Sequence, residues 1–373
     1  LERQQRVGRK LLATGNGRCN LTNRNACPDS YSGADAAFAV PALQGFSCED
    51  TLAFFEELGL LTVTEPDGRV YPLSDSANSV LDVLRFALDR AGVIVRCASP
   101  VELLQRSGHG FLLSGEVLGS LQADAVILAC GGAAGAKIGG CSDGYRLAKT
   151  LGHECSSLYP SLTRICTDPE YPRALKGIRV QAELRLTRGS RLLGESRGEV
   201  QFTEKGVSGP AGFDLSRTAA RSGGGQLLHL KLLPMEETEC LALLEKRQQA
   251  FPELEAAELF TGMLHNRLGR TVVKAAGISS VKPLRALTPS ELRDAARCCM
   301  DFLLPVRGVE GFEAAQVTAG GILTKAFSPA TLESRSVPGL YACGELLDVD
   351  GPCGGYNLQW AWASGHLAGR LGT

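Results

Sequence analysis

Hydrophobic and polar positions follow two rhythms along this chain. Ala125–Cys130 and Gly339–Cys343 are short unbroken apolar runs that stop at glycine, the pattern of a strand buried on both faces that feeds a turn. Val93–Cys97, Val101–Leu104 and Gly110–Leu113 read as further strands before the first of these runs, and Leu61–Thr64 and Arg69–Leu73 flank Pro66-Asp67-Gly68, a hairpin turn. Between them Ser74 to Ala91 has helical spacing, with Val80, Leu81, Leu84, Phe86 and Leu88 spread over its inward side. Asp35–Gln44 and Cys48–Leu58 predict short helices, and another follows Asp143-Gly144-Tyr145 and runs to about Leu151. Gly8–Asn23 reads as a glycine-rich loop.

The texture then changes. Ile178–Leu186 and Gln226–Leu232 alternate as strands, whereas Glu236–Gln249, Leu254–Phe260 and Ser290–Met300 carry helical spacing. After about residue 310 the glycine-rich strand and turn style returns. The expected organisation is one domain in two pieces, 1–155 and 310–373, split by an inserted domain of strands plus helices over 156–309.

Composition narrows the function classes. The chain has 373 residues, 44% of them hydrophobic, and 39 basic against 40 acidic side chains, a net charge of −1. That balance gives no electrostatic footprint for nucleic acid or an anionic membrane, and no apolar stretch approaches the roughly 20 residues of a membrane span. A small-molecule partner is expected. Thirteen cysteines, an odd number scattered through apolar contexts, point to a reducing, cytoplasmic setting. Cys298-Cys299 is vicinal, and with no C-x-x-C pair and no Cys/His cluster of ligand spacing, no metal is expected. His109, His153, His229, His265 and His366 have no recognisable partner spacing and read as structural or solvated.

The candidate chemistry lies at the two ends. Near the C-terminus Thr318-Ala319-Gly320-Gly321-Ile322 precedes the Gly339–Cys343 strand; Gly344-Glu345 then places a carboxylate at the strand's carboxyl end. Gly354-Gly355 lets backbone N–H groups approach a ligand before Tyr356–Leu371 turns helical. Such a layout suits a phosphorylated or planar, electron-rich ligand. The N-terminal stretch starts Leu1-Glu2-Arg3 with no methionine, and the chain contains no G-x-G-x-x-G. The expectation is a sequence that begins after its first strand and glycine loop.

Gly8-Arg9-Lys10-Leu11-Leu12-Ala13-Thr14-Gly15-Asn16-Gly17-Arg18-Cys19-Asn20-Leu21-Thr22-Asn23 resembles the G-R-K-L-x-x-[ST]-G-x-G-R-C-N-x-T-N signature of the BaiN-like, or aminoacetone-oxidase-like, bacterial FAD-binding flavoproteins. Tyr71-Pro72-Leu73-Ser74-Asp75, Ser142-Asp143-Gly144-Tyr145, Glu199–Thr203, Gly206–Pro210 and the C-terminal block continue the resemblance over essentially the whole chain. One departure is Ala133-Ala134-Gly135-Ala136-Lys137, where the family often carries a Ser-Tyr-Pro-like stretch.

The resemblance implies an α/β, Rossmann-like FAD-binding domain of the two-dinucleotide-binding flavoprotein type, N-terminally incomplete and split by a β-barrel-like insert with helices. It implies FAD as cofactor and NAD(P)H as a possible electron donor, with the main phosphate loop outside this sequence. Glu2 would bind the adenosine ribose; Val101 would meet the adenine through its backbone. Arg9, Lys10, Thr14, Gly15, Asn16, Gly17, Arg18, Cys19 and Asn20 would lie beside the phosphates and flavin, and Gly131 and Gly132 would form a turn next to the cofactor. Gly344, Glu345 and, as an alternative acid, Asp348 would face the ribityl chain, and Gly355, Tyr356, Asn357 and Leu358 would open a helix toward the flavin edge. Trp360 and Trp362 read as packing residues, and a redox pair of Cys19 and Cys343 is not favoured. No catalytic acid or base is singled out. Two function classes follow: an FAD-dependent oxidoreductase, and a non-catalytic flavin- or nucleotide-binding protein that keeps the fold.

Overall fold

The computed structural model describes every residue except His109 and Thr373, so the reading of His109 lies outside the described residues. The chain divides into two compact units: Leu1–Pro160 together with the stretch from Phe312 onward, and Ser161–Gly311. Against the expected insert of 156–309, the second unit starts five residues later and ends two residues later.

Unit two is organised by a closed six-stranded antiparallel barrel. Going round it, Ile165–Thr167 pairs with Gly206–Ser208, then come Arg191–Thr203, Arg179–Arg188, Leu227–Lys231 and Phe302–Val309, which closes on Ile165. Alternation explains it: Ala182, Leu184, Leu186, Leu228 and Leu230 point inward and are buried, while their neighbours Glu183, Arg185 and Lys231 point out. Pro210–Ser222, Glu237–Ala250, Asn266–Ala275 and Pro289–Met300 are its longer helices. Pro210 sits at the first turn after Gly209, the Ser208-Gly209-Pro210 motif serving as a helix start. Thr288 and Glu291 form a capping box for the last of these helices. Leu254–Phe260, expected to be helical, holds only a single turn at Ala256–Glu258. It is anchored instead by loop bonds to Ser280, Lys282 and Leu284, which compete with a longer helix.

In unit one the two apolar runs form a parallel ladder, Leu340–Ala342 against Val126–Leu128 in register Leu340↔Val126. Leu103–Ser107, Gly110–Gly115 and Gly119–Ala123 make an antiparallel sheet, so the strand expected at Val101 begins two residues later. The hairpin around Pro66-Asp67-Gly68 forms as expected, and its second strand also pairs with Thr22–Asn23. Ser47 and Asp50 cap the helix Cys48–Glu57.

Three expectations are corrected here. Val93–Cys97 joins no strand ladder among the described residues, and Val93, Ile94 and Val95 are exposed at 48%, 79% and 43%, because apolar character does not make a strand without a partner edge. Phe86 is 68% exposed, on the outer face of the helix Ala77–Arg90. Gly8–Asn23 is not wholly a loop: Arg9–Ala13 is a helical turn entered through Gly8 at φ 77°, and Thr14–Gly17 is a tighter turn with Gly15 and Asn16 left-handed. The final helix spans Tyr356–Gly369, entered through Gly355 at φ 100°.

Candidate functional site

A cleft of about 600 Å³ in unit one gathers Glu2, Arg9, Lys10, Val101, Gly131 and Gly132 from the expected site residues. Its floor is apolar, with Leu104, Leu113, Val126, Leu128 and Leu147. One wall is cationic. Arg3 pairs with Asp143 at 2.9 Å; the Arg9 guanidinium donates to Lys137 O at 3.0 Å and to the Gln4 side chain; Lys10 Nζ donates to Glu345 Oε2 at 2.5 Å. The backbone of Glu2 pairs with Arg96 and Ser99, and its carboxylate accepts from Gln4 N–H at 2.7 Å, so the acid is fixed in place rather than frayed.

Glu345 reaches this wall from the end of the Leu340–Ala342 strand. Besides Lys10 it accepts from Thr318 N–H at 2.8 Å, and Thr318 Oγ1 accepts from Ala134 N–H at 3.0 Å. The turn at Gly132 must therefore lack a side chain. A Cβ there would lie 2.4 Å from Thr318 Oγ1 and 2.5 Å from Glu345 Oε1. This cluster of ammonium, carboxylate, hydroxyl and glycine turn joins Lys10 to residues more than 300 positions away, and Thr318 and Ala134 had no role in the sequence reading.

The remaining expected residues do not line the cleft, and two of them, Asn20 and Gly355, belong to a clasp between the two ends of the chain. With its amide oriented so that Nδ2 donates to Thr22 O at 3.1 Å, Asn20 accepts from Gly355 N–H at 3.2 Å. Asn23 Nδ2 donates to Gly354 O at 2.8 Å, and Trp362 Nε1 donates to Leu21 O at 2.9 Å. Gly355 is obligatory here, since a Cβ would stand 2.5 Å from Thr22 O. Gln359, which is buried, completes the clasp: its Oε1 accepts from the Thr22 and Thr51 hydroxyls at 2.6 and 3.0 Å, and its Nε2 donates to Phe46 O at 2.9 Å. Each of these partners left alone in a dry interior would cost about 1–3 kcal/mol.

Other side chains have settled employment. Arg18 lies over the Tyr71 ring at 3.9 Å and pairs with Glu65 and Asp75, so its charge is engaged outside the cleft. Asn357 is tied to Gly351 through both ends of its amide, Tyr356 O accepts from the Tyr31 hydroxyl, and Leu358 packs with Cys19 and Leu21. Gly344 O accepts from Trp360 Nε1 at 3.0 Å, and Asp348 is buried with its N–H donating to Ile322 O. Both tryptophans thus act as packing residues with a satisfied N–H.

Burial pushes the Cys19 thiol up to about 11, against a counterpull from the Thr14 hydroxyl, and pushes Cys343 up to about 12. These are neutral thiols at ordinary pH, unsuited to redox exchange. All thirteen cysteines are free, and among the described residues no group of His, Cys, Asp and Glu could hold a metal ion. No helix among them is long and apolar enough to cross a membrane. His229 does have partners that its spacing concealed: Nδ1 meets Asp301 at 2.8 Å and Nε2 meets the Thr187 hydroxyl at 2.9 Å, on the outer face of the barrel.

Comparison with known proteins agrees with the motif resemblance. The chain is 39% identical over 374 residues to the 3-dehydro-bile acid Δ4,6-reductase of Clostridium scindens, covering 99% of this chain and 91% of that one. It is 28% identical to the ribosomal RNA dihydrouridine synthases of Escherichia coli and Haemophilus influenzae, covering 98% and 97% of this chain and 89% of each relative. A family profile described as the HI0933-like protein Rossmann domain matches residues 1–371, and the chain belongs to that family.

Proposed function

We propose that this protein is an FAD-dependent oxidoreductase that reduces a small, largely apolar substrate, with hydride drawn from NAD(P)H. The observation that carries the reading is the end-to-end 39% identity to a bile acid reductase. The cleft fits the cofactor in chemistry: Arg3, Arg9 and Lys10 suit a pyrophosphate, the glycine turn at Gly131-Gly132 suits close approach, and the apolar floor suits a planar ring. Glu2 would take a ribose hydroxyl and Glu345 a ribityl hydroxyl. The flavin, when bound, supplies the hydride chemistry. The chain's part is to bind it, orient it and exclude water. The finer assignment to the two-dinucleotide-binding flavoproteins and the cytoplasmic location belong to the same reading.

The relatives named for ribosomal RNA suggest a second substrate class. The apolar floor of the cleft favours the small molecule. Arg164, Arg179, Arg185, Arg197, Arg270 and Arg307 of the barrel unit each face an acidic partner, which engages those six charges within the protein.

The test is optical. Purified full-length protein should be yellow, with a visible flavin band that NAD(P)H bleaches under anaerobic conditions and that an unsaturated steroid ketone restores. Protein that stays colourless after reconstitution with FAD ends the flavin reading. A yellow protein that no donor bleaches leaves the non-catalytic binder.

A further inference from the structure

Thr318 does not line the cleft, yet it is bonded to two groups that shape it. It is 1% exposed on the short strand Val317–Ala319. Its N–H donates to Glu345 Oε1 at 2.8 Å, and Glu345 Oε2 accepts from Lys10 of the cleft wall. Its hydroxyl oxygen accepts from Ala134 N–H at 3.0 Å, inside the turn that starts with Gly131-Gly132 at the cleft.

Of the two segments joined by that hydroxyl, the strand is the anchor and the turn is the part that can move. Just after Thr318 the chain is locked by a reciprocal pair: Ser156 N–H donates to Gly321 O at 2.9 Å, and Gly321 N–H donates to Ser156 Oγ at 3.0 Å. The turn Gly131-Gly132-Ala133-Ala134-Gly135 is looser by composition, with Gly131 and Gly135 left-handed at φ 69° and 74°. Ordering glycine costs more backbone entropy than ordering any other residue, so such a turn keeps one shape only when bonds from outside hold it. Three do so: Cys141 N–H to Gly132 O at 3.0 Å, Gly135 N–H to Phe312 O at 2.8 Å, and Ala134 N–H to Thr318 Oγ1. The third is made by a side chain, and it ties the turn to the residue whose N–H holds Glu345.

We propose that Thr318 is a positioning residue of the ligand site, whose hydroxyl holds the Gly131–Gly135 turn in the shape that admits a ligand and in register with the Glu345 carboxylate. One residue thereby sets the spacing between the glycine turn and the Lys10–Glu345 pair. The proposal rests on the flavin reading given above, with FAD as the ligand.

The experiment compares full-length wild type, Thr318→Val and Thr318→Ser. FAD affinity is measured by fluorescence quenching, and hydrogen exchange at residues 131–135 is followed without ligand. Val keeps the shape and loses the acceptor; Ser keeps the acceptor and loses the methyl group. The FAD dissociation constant should rise roughly tenfold in Thr318→Val, the size of one hydrogen bond, and stay within about twofold of wild type in Thr318→Ser. The turn amides should exchange faster in Thr318→Val alone. A threonine that merely packs gives the reverse order, with Val like wild type and Ser weakened. That reverse order, or equal affinity in all three proteins, overturns the assignment and leaves the flavin reading intact; so does a weakened Thr318→Ser where Thr318→Val does not fold. Wild type that binds no FAD overturns both.

Discussion

The two units of this chain are stabilised in different ways. The barrel unit closes its strands on themselves, so every strand has two neighbours, and it fills the interior with Leu184, Leu186, Phe202, Leu228, Leu230 and Phe302. Its outward charges are matched across the strands, Glu183 facing Arg197 and Arg185 facing Glu195 in register. Unit one has short ladders, an apolar stretch at Val93–Val95 in solvent and a cleft, and it is held at the site by side chains bonded to distant backbone. Ladder and core make a rigid body; a clasp of amides and hydroxyls makes a shaped one, which suits binding and costs stability when a single member is lost.

The strongest test of this contrast is Phe202→Ala. It should destabilise the barrel unit by about 3–5 kcal/mol in denaturant melts, the range for an aromatic removed from a packed interior. A loss below about 1 kcal/mol would deny the barrel its role as the rigid body. Next comes Gln359→Leu, which strands the Thr22 hydroxyl and Phe46 O, while the Thr51 hydroxyl keeps Ser47 O at 2.9 Å. About 2–3 kcal/mol should be lost. Hydrogen exchange should report it at residues 20–23 and 355–362, with barrel amides unchanged; uniform deprotection would merge the two units into one cooperative body.

The smallest effect is a pH dependence confined to unit one. His153 is buried against Phe327, with Nε2 3.3 Å from the Ser334 hydroxyl, and burial lowers its pKa from the ordinary 6.5. The folded state therefore prefers the neutral ring. Its contribution is full above 6.5 and is lost as pH falls through the lowered folded value, because the unfolded chain then binds the proton first. Unfolding free energy should fall between pH 7.5 and 5.5, and His153→Gln should flatten that slope. An unchanged slope would assign the acid sensitivity elsewhere.

Much of this architecture was legible in the residues. The Pro66-Asp67-Gly68 turn, the alternation in the barrel strands and the glycine-stopped apolar runs are local signals, and each formed its turn or strand, although the Ala125–Cys130 run, expected to be buried on both faces, leaves Ile127 38% exposed. Val93–Cys97 failed because a strand is completed by its neighbour, which no window of the sequence contains. Phe86 was misplaced because its helix offers more apolar positions than its packing uses. At the site, glycine motifs and basic residues announced the cleft, while Thr318 and Gln359 stood in the C-terminal block with no role assigned to either. Their roles depend on hydrogen bonds across more than a hundred residues.

The clasp also sets an order of events during synthesis. Asn20, Thr22 and Asn23 leave the ribosome more than 330 residues before their partners Gly354, Gly355 and Gln359. The barrel, by contrast, is complete once Val309 is out. At synthesis rates of roughly 5–20 residues per second the N-terminal motif waits many seconds for its counterpart. The clasp thus closes only after the barrel is complete, and a product terminated between Val309 and Gly354 would carry a finished barrel beside an open clasp.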